Sequence, residues 1–520
     1  MMNSIHKLFI LLACVSFIQC GSLHKKSNGN ASKDKNEISF TFLQFNDFYD
    51  IAPLENGTIG GAAKMATIRK KLLAEDPQLY TVLAGDFISP SLLGTLKWNG
   101  ESIKGKQIIQ VFNKIGIDLV TFGNHEFDFD AKTLKARINE SNFDWVSSNV
   151  MLKEDNKIIP FYKTVNGQKV NIPKYKILTF KNDQGKEVRV GIVAPCIDSN
   201  KPDYIDINKF VSIAPAYYDL KQNKVDIILA LSHLSKEEDT QLAKQYPDIK
   251  LIMGGHEHDH MNIELPTCRI TKADANARTA YAHRFKYNTK TKQVKIESEL
   301  IALDASIALD GEVDQIVQEW KGIENKVMRE MGFDPEQVLM TLPTPIDVRE
   351  ISTRNKPTYF GQMIGRAMLR AAPKSECTFF NSGSIRMDDM IEKQLSQYDI
   401  LRALPYGGGI VELDMPGILL SKVLEAGWNN KSKGGFLQWA NIERTPKYIW
   451  LVNGKEIEPK RMYHVAVNDF LLTGNESGLD FFSAKNPELQ NINRAKPDDL
   501  TDIRRDIRLL IIDYIKKGGR

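Results

Sequence analysis

The amino-acid sequence predicts an α/β fold divided between two domains. With 520 residues the chain is too long for one ordinary domain, and its 42% hydrophobic and 26% charged residues are typical of a globular protein. From Ile38 onward, short runs rich in β-branched and aromatic residues alternate with segments of helical periodicity. Buried strands that alternate with helices form layered α/β domains.

Six runs in the first half of the chain have the character of buried strands. In chain order they are ISFTFLQF, LYTVLAG, IDLVTFG, VRVGIVAP, VDIILALSH and IKLIMGG. Between two of them, apolar residues from Ile108 to Ile115 repeat at helical spacing, and residues 236–246 form a charged stretch suited to a surface helix. These elements predict a first domain over residues 38–309.

A charged segment at residues 310–341 carries apolar residues at helical spacing, among them Val313 and Trp320. A core helix is one interpretation, but its position between two strand-rich regions favours a connecting helix and hinge. A second α/β domain is predicted over residues 342–520. Its last run, IRLLIIDYIKKGG, predicts a terminal helix that its glycines stop.

Residues 1–19 predict a secretory signal peptide, since Lys7 precedes an apolar run that is too short to span a bilayer comfortably. Cys20 stands where a bacterial lipoprotein signal is cut and acylated, and residues 20–37 are polar, as in a flexible tether. A plain signal peptide cut elsewhere is the alternative. We therefore expect an extracytoplasmic protein whose only membrane contact is a lipid anchor.

Charge and cysteine content exclude several other classes. The formal net charge of +4 is small, with both signs mixed along the chain, so no nucleic acid polymer is expected as a partner. The cysteines after Cys20 are Cys196, Cys268 and Cys377. Their scattered spacing predicts neither a disulfide framework nor a thiolate zinc site.

Residues able to bind a metal ion follow the predicted strands of the first domain. They are Asp47, Asp86, Asn124, His125, Asp128, His233, His256 and His258. Polar groups at strand ends, along one sheet edge, are where α/β folds place their sites. Oxygen and imidazole ligands without thiolates suit manganese, zinc or iron.

In this order, the motifs FND, AGDF, GNHEFD, LSH and GGHEH resemble those of the calcineurin-like metallophosphoesterases, in particular the 5′-nucleotidase branch. The resemblance implies a four-layer α/β/β/α sandwich that binds two divalent metal ions, which could be manganese, zinc, cobalt or iron. It implies that Asp86 bridges the two ions, that Asp47 and His258 complete one site, and that Asn124, His233 and His256 complete the other. Water activated by the metals would then attack phosphorus in line.

The same resemblance implies a catalytic pair within GNHEFD. His125 would stabilise the charge that grows on the phosphoryl or leaving group. Asp128 would orient the imidazole and raise its basicity. The alternative is that Asp128 only caps a turn.

The first motif departs from the family pattern of Asp-x-His, because Tyr49 follows Asp47 and Phe48. A phenol with a pKa of about 10 is a poor ligand for most divalent ions. Three outcomes are open: Tyr49 packs and leaves water in the position, it binds a harder ion such as ferric iron as phenolate, or the site is degraded. We favour the first.

In the second domain, NSGSIR, LPYGGGIVEL, GGFLQW and NDFLLTGNESGLDFF resemble the substrate-specificity domain of the same nucleotidases. The resemblance implies that two aromatic rings clamp the nucleobase while arginines and an asparagine hold phosphate or ribose. The matching residues are Arg354, Asn381, Arg386, Tyr406 and Phe482, the last preferred over Phe481. It also implies that the domains move, with residues 310–341 as the pivot.

The predicted function is a 5′-nucleotidase that releases phosphate from nucleoside 5′-monophosphates, with UDP-sugars and 2′,3′-cyclic nucleotides as further candidate substrates. A second enzyme hypothesis keeps the metals and takes a sulfur-linked sulfate ester. The third is a surface lipoprotein with a degraded metal site that binds a ligand or partner. Retention of His125 and Asp128 argues against the third.

Overall fold

The computed structural model describes residues 35–55 and 57–519. The predicted signal peptide, Cys20 and the tether up to residue 34 lie outside this part of the chain. Across the described ranges, we find no helix with the length and apolar character needed to cross a membrane.

Two six-stranded sheets form the N-terminal domain. The strand order of the first is Val294–Ala302, Thr279–Asn288, Glu37–Phe45, Leu79–Leu83, Leu119–Val120, Asp144–Trp145. The order of the second is Tyr175–Lys181, Glu187–Val193, Ile227–Leu231, Ile249–Gly254, Arg269–Lys272, Met261–Glu264. The strand Glu37–Phe45 is parallel to Leu79–Leu83, and Ile227–Leu231 is parallel to Ile249–Gly254. Their carboxyl ends therefore lie at the same edges of the two sheets.

Apolar side chains from the facing sides of the two sheets make one core, in which Phe40 stacks on Phe180 at 4.2 Å between ring centroids. Helices cover the two outer faces. Ala62–Glu75 and Lys106–Ile115 pack on the first sheet, and Ala214–Gln222 and Lys236–Gln245 pack on the second. The predicted four-layer α/β/β/α sandwich is confirmed.

All six apolar runs form strands, but IDLVTFG contributes only Leu119–Val120 because the chain then turns into the loop that carries Asn124 and His125. The predicted surface helix begins at Lys236. Ser235 accepts a hydrogen bond from the amide of Glu238, whose side chain accepts one in return from the amide of Ser235, so a capping box fixes the start of this helix.

The helix predicted as a connector runs over Gly311–Glu330. Val313, Val317 and Val327 are buried in the core of the N-terminal domain, and Met328 is buried in that of the second domain. By its packing the helix is part of the N-terminal domain, and the change of domain comes at its carboxyl end. A pivot role for residues 310–341 stays a prediction.

The C-terminal domain is built on a five-stranded sheet. Its strand order is Leu437–Ala440, Cys377–Asn381, Met462–Asn468, Ile410–Pro416, Gln490–Arg494. The helices Tyr359–Ala371 and Ile507–Lys516 pack on one face, and Gly417–Asn429 packs on the other. The predicted α/β class and the terminal helix are confirmed.

Shorter elements complete the described chain. The helices are Leu92–Thr95, Ala131–Glu140, Glu350–Thr353 and Gln397–Ala403. The strands outside the three large sheets are Lys97–Trp98, Glu101–Ser102, Val150–Glu154, Lys157–Ile159, Tyr162–Val165, Gln168–Asn171, Ile205–Ile207, Val338–Thr341, Ile346–Asp347, Met390–Ile391, Gln394–Ser396, Ile442–Arg444, Trp450–Val452 and Lys455–Glu456.

The two domains meet through charged side chains. Arg402 of the second domain donates from Nε to Asp50 Oδ2 of the first at 2.8 Å. Arg278 of the first domain donates to Asp389 Oδ2 of the second at 2.6 Å. These pairs lie beside the strand ends that carry the candidate ligands.

Candidate active site

Four strand ends bring candidate ligands together between the two sheets. Asp47 and Asp86 follow neighbouring strands of the first sheet, and His233 follows a strand of the second. Each of these three side chains offers a ligand atom within 4.8 Å of the others. The amide of His256, from the second sheet, donates to Asp47 Oδ2 at 2.9 Å, so the two sheets are joined at this edge.

The backbone at these positions is unusual. Asp47, Asp86, His256 and His258 have φ angles of 50°, 57°, 89° and 58°. Such left-handed conformations are uncommon outside glycine and cost about 1–3 kcal/mol each. Four of them among the candidate ligands indicate that the backbone is held in place to aim these side chains at one point.

Two glycines make this close approach feasible. A Cβ atom at Gly123 would lie 2.2 Å from Asp86 Oδ1. One at Gly255 would lie 2.5 Å from the carbonyl oxygen of Ala84 and 3.0 Å from Asp47 Oδ2. Only glycine fits at either position, as expected for the glycines of GNHEFD and GGHEH.

The resemblance assigns Asp86, Asn124, His233 and His256 to the first of two candidate cation positions. Nδ1 of His233 lies 2.7 Å from the carbonyl oxygen of Ala84, which can only accept, so Nδ1 carries a proton. Nε2 is buried 3.1 Å from Asp86 Oδ2, without hydrogen-bond geometry. Asn124 Oδ1 is also buried without a donor. A buried acceptor without a partner costs about 1–3 kcal/mol, so these atoms fit a bound cation.

In the metal-free site, the negative field of the carboxylates favours a proton on His233. Burial lowers the pKa of His233, but the carboxylates of Asp86 and Asp47 outweigh it and raise that pKa to about 9. The same negative field would attract a cation. Burial, with the neighbouring His233, lowers the pKa of His256 to about 3, so this imidazole is neutral and can act as a ligand.

The second candidate position, predicted to use Asp47, Asp86 and His258, is different. The hydroxyl of Tyr49 lies 3.3 Å from Asp47 Oδ1, 3.3 Å from Asp86 Oδ2 and 3.0 Å from His258 Nε2. Burial, together with the two carboxylates, raises the pKa of Tyr49 well above its usual value, so the phenol is neutral. The Tyr49 hydroxyl therefore lies among the side chains that the resemblance assigns to this cation.

The predicted pair of His125 and Asp128 is formed. Nδ1 of His125 lies 2.9 Å from Asp128 Oδ2, within one turn of 3₁₀-helix. Ser89 donates to Asp128 Oδ2 and Asn200 donates to Asp128 Oδ1, each at 2.8 Å, so the carboxylate is itself oriented. Burial lowers the pKa of His125, but Asp128 and Asp86 outweigh it and raise that pKa above its usual value. The geometry suits a proton or hydrogen-bond donor.

Sequence reasoning did not identify two acidic residues at this site. Glu126 is fully buried and accepts backbone hydrogen bonds from Asp86, Phe87, Ile88 and Gly123, which hold the Asp86 loop. Asp388, from the second domain, lies 2.5 Å from His258 Nδ1. Glu126 stands inside the motif GNHEFD, and Asp388 stands two residues after NSGSIR. An acidic residue within or close to a motif was the available signal.

A narrow cleft separates the domains at this point. Tyr49, His125 and His258 line it from the first domain, and Arg386 and Asp388 line it from the second. Arg386 Nη2 lies 3.3 Å from His125 Nε2.

The two predicted arginines both have an unused donor. The Nε atoms of Arg354 and Arg386 are buried without acceptors. Arg354 also pairs with Glu350, and Glu350 lines the cleft. Buried guanidinium donors without acceptors are suited to the oxygens of an anion.

The side chain of Asn381 hydrogen-bonds with other protein side chains rather than facing the cleft. Its Nδ2 donates to Glu476 Oε2 at 2.7 Å, and its Oδ1 accepts from Ser384 and Asn468, each at 2.8 Å. The amide is therefore engaged with protein groups. Asn381 holds the loop that leads to Arg386.

The two predicted aromatic rings have opposite environments. The side chain of Tyr406 is on the surface, with 56% of its area exposed. Phe482 is fully buried and packs against Phe379, with ring centroids 5.8 Å apart. Phe481 is half-buried, and the Lys422 ammonium lies 4.1 Å from its ring centroid. The preference for Phe482 is corrected here: the side chain of Phe482 is in the core, and Phe481 is the ring that reaches the surface.

Comparison with known proteins agrees with the class that the fold and the site define, a metal-dependent phosphoesterase. The family model described as calcineurin-like phosphoesterase matches residues 40–260, and the 5′-nucleotidase C-terminal domain matches residues 338–484. Together the two models match most of the chain, which belongs to the 5′-nucleotidase family.

Curated relatives share low identity over most of the chain. The trifunctional nucleotide phosphoesterase protein YfkN of Bacillus subtilis is 25% identical over 82% of this chain and 32% of its own length. The 5′-nucleotidase of Bos taurus is 24% identical over 80% of this chain and 78% of its own length. The chain therefore spans 32% of the length of YfkN, about a third. It spans most of the length of the bovine protein.

Solved structures show the same fold. The 5′-nucleotidase precursor from Thermus thermophilus aligns with a TM-score of 0.70 at 20% identity, covering 92% of this chain and 96% of that one. The Thermus sulfate thiohydrolase SoxB aligns with a TM-score of 0.65 at 15% identity, covering 92% of this chain and 94% of that one.

Proposed function

We propose that the chain is an extracytoplasmic, metal-dependent 5′-nucleotidase that releases phosphate from nucleoside 5′-monophosphates. The observation that carries this proposal is that His125 and His258 line one cleft together with Arg386 of the second domain. His125 contacts Asp86 and His258 contacts Asp47, two residues of the candidate metal cluster. Cations and guanidinium groups both bind phosphate oxygens, so a phosphate ester fits between them.

In this proposal, a cation held by Asp86, Asn124, His233 and His256 would polarise the phosphoryl group and lower the pKa of water toward neutrality. Arg386 binds phosphoryl oxygens through its free donor. His125, held by Asp128, lines the cleft beside Arg386, where it donates to the charge that develops on the phosphoryl or leaving oxygen.

The nucleoside part would lie against the second domain. The exposed ring of Tyr406 offers a stacking surface to any base, and Phe481 is the candidate for the opposite ring. UDP-sugars and 2′,3′-cyclic nucleotides stay further candidate substrates. The extracytoplasmic location and the lipid anchor at Cys20 rest on the leader pattern of residues 1–22.

One observation favours a second candidate function. The contacts of the Tyr49 hydroxyl occupy groups that the family pattern assigns to a metal. A surface protein that binds nucleotide without turnover is therefore the alternative.

The test is phosphate release from AMP by the full chain, stripped of metal and then resupplied with manganese, zinc, cobalt or iron in turn. We expect release to return with at least one of these ions. Nucleotide binding without phosphate release under every ion would reject the proposal in favour of the binding protein.

Replacing Tyr406 by alanine is expected to raise the KM for AMP roughly 5- to 150-fold, because a stacked base contributes about 1–3 kcal/mol. Hydrolysis of a base-free aryl phosphate should change little. Steady-state kinetics on both substrates measure the difference. Tyr448→Ala is the matched control, since Tyr448 is 74% exposed. Parallel losses on both substrates would show that Tyr406 is structural.

A further inference from the structure

We infer that the hydroxyl of Tyr49 stands in for one of the two family cations, so that the chain holds a mononuclear metal site at Asp86, Asn124, His233 and His256. The inference rests on the metal dependence in the proposed function and specifies its cofactor. It concerns the number of ions that the chain binds, which can be measured without turnover.

The contacts of the Tyr49 hydroxyl carry the inference. Its oxygen lies 3.3 Å from Asp47 Oδ1, 3.3 Å from Asp86 Oδ2 and 3.0 Å from His258 Nε2. They belong to Asp47, Asp86 and His258, the residues that the resemblance assigns to the second candidate position. A hydroxyl has one proton to donate and lone pairs to accept with, so it can join a carboxylate and an imidazole in the way a cation would.

The fold holds this hydroxyl in place. The backbone amide of Tyr49 donates to Asn276 Oδ1 at 2.9 Å, and the side chain is buried. The Tyr49 ring also meets the His258 ring edge-on, with centroids 5.5 Å apart. The amide contact fixes the backbone, and a side-chain rotation that moved the hydroxyl away would break the ring contact.

The groups around the hydroxyl are also committed to protein partners. His258 uses Nδ1 for Asp388 of the second domain at 2.5 Å. Asp47 Oδ2 accepts from Asn46 Nδ2 at 2.8 Å and from the His256 amide at 2.9 Å. This position is therefore satisfied by protein hydrogen bonds alone.

The first candidate position, at Asp86, Asn124, His233 and His256, has polar atoms that lack such protein partners. Asn124 Oδ1 and His233 Nε2 are both buried without a hydrogen-bond partner. His233 Nε2 lies 3.1 Å from Asp86 Oδ2, without hydrogen-bond geometry. Because buried polar atoms are almost always paired, these two atoms indicate a ligand. The two candidate cation positions therefore differ. The position with Asn124 and His233 has buried atoms without hydrogen-bond partners, whereas the position with Asp47 and His258 already has the Tyr49 hydroxyl as a donor.

The experiment counts manganese ions bound per chain by the metal-stripped full-length protein, by equilibrium dialysis with elemental analysis and by electron paramagnetic resonance. We expect one ion per chain, with the spectrum of isolated Mn²⁺, in the parent and in Tyr49→Phe. We expect two ions, magnetically coupled, in Tyr49→His. Asn124→Ala should weaken binding of the single ion by about 10-fold or more, in line with the loss of one contact to a metal.

Each other outcome overturns the inference. Two ions in the parent would show that Tyr49 does not displace a cation, and one ion in a folded Tyr49→His would show that Tyr49 is not the cause. If Tyr49→His does not fold, as judged by circular dichroism, the parent count and Asn124→Ala still decide.

Iron provides a separate arm of the same test. A visible charge-transfer band in the iron-loaded parent, absent from Tyr49→Phe, would show that Tyr49 is a phenolate ligand and would overturn the inference. No manganese bound by the parent would reject the metal dependence of the proposed function as well, which distinguishes the two failures.

Discussion

Replacing His125 by alanine is expected to lower kcat for AMP by about 10²- to 10⁴-fold, the range for loss of a general acid or base, while the bound metal is retained. The metal should stay because His125 contacts Asp86 through its backbone amide, at 2.7 Å from Oδ1, and alanine keeps that amide. Only the imidazole, which pairs with Asp128 and approaches Arg386, is lost. Steady-state kinetics with elemental analysis of the same sample separate the two effects.

The matched control is His260→Ala. His260 is in the same domain, its side chain is 54% exposed, and it pairs with Asp274 rather than with the cleft. It should keep both kcat and metal content. Equal turnover in His125→Ala and the parent would remove His125 from the mechanism, and loss of metal would show that its role is to support the metal site.

Replacing His233 by alanine is expected to weaken divalent-metal binding by at least about 100-fold and to reduce phosphate release to background at low metal. Loss of a group that only supports a ligand already costs about 10- to 100-fold, and His233 offers a ligand atom directly. Its imidazole is fully buried between Ala84 and Asp86, so no other side chain can take its place. Manganese titration followed by calorimetry measures the change.

Excess manganese should restore part of the activity of His233→Ala if the remaining ligands stay in place. His260→Ala again serves as the control, with unchanged affinity. Unchanged metal affinity in a folded His233→Ala would contradict the cation position assigned to Asp86, Asn124, His233 and His256.

Local pattern was sufficient for most of the fold because buried strands and amphipathic helices are set by residues close together in the chain. Local pattern was less reliable where tertiary packing decides which domain a helix joins or where a strand ends. The apolar residues of 310–341 repeat at helical spacing, a pattern that suits a helix packed against either domain. Only the burial of Val313, Val317 and Val327 assigns the helix to the N-terminal core. The strand IDLVTFG is shortened to Leu119–Val120 because the loop toward the site takes its end.

The site, like the fold, was only partly predictable from the sequence. Phe481 and Phe482 lie in a turn outside the strands, so no side-chain periodicity indicated which of the two would be buried. Glu126 and Asp388 act through partners distant in sequence, and such partners depend on how the sheets and domains meet. Asn381 matched its motif, yet its amide is used to hold a loop.

The sequence by itself determined the α/β class, the order of strands and helices, and the side chains that follow each strand. Those features depend on periodicity and on motif spacing, which are local. Tertiary structure alone decided what the Tyr49 hydroxyl touches, since His258 is 209 residues away along the chain. It also decided which buried atoms are left without partners. Both are consequences of packing two sheets and two domains against each other, and no local pattern contains them.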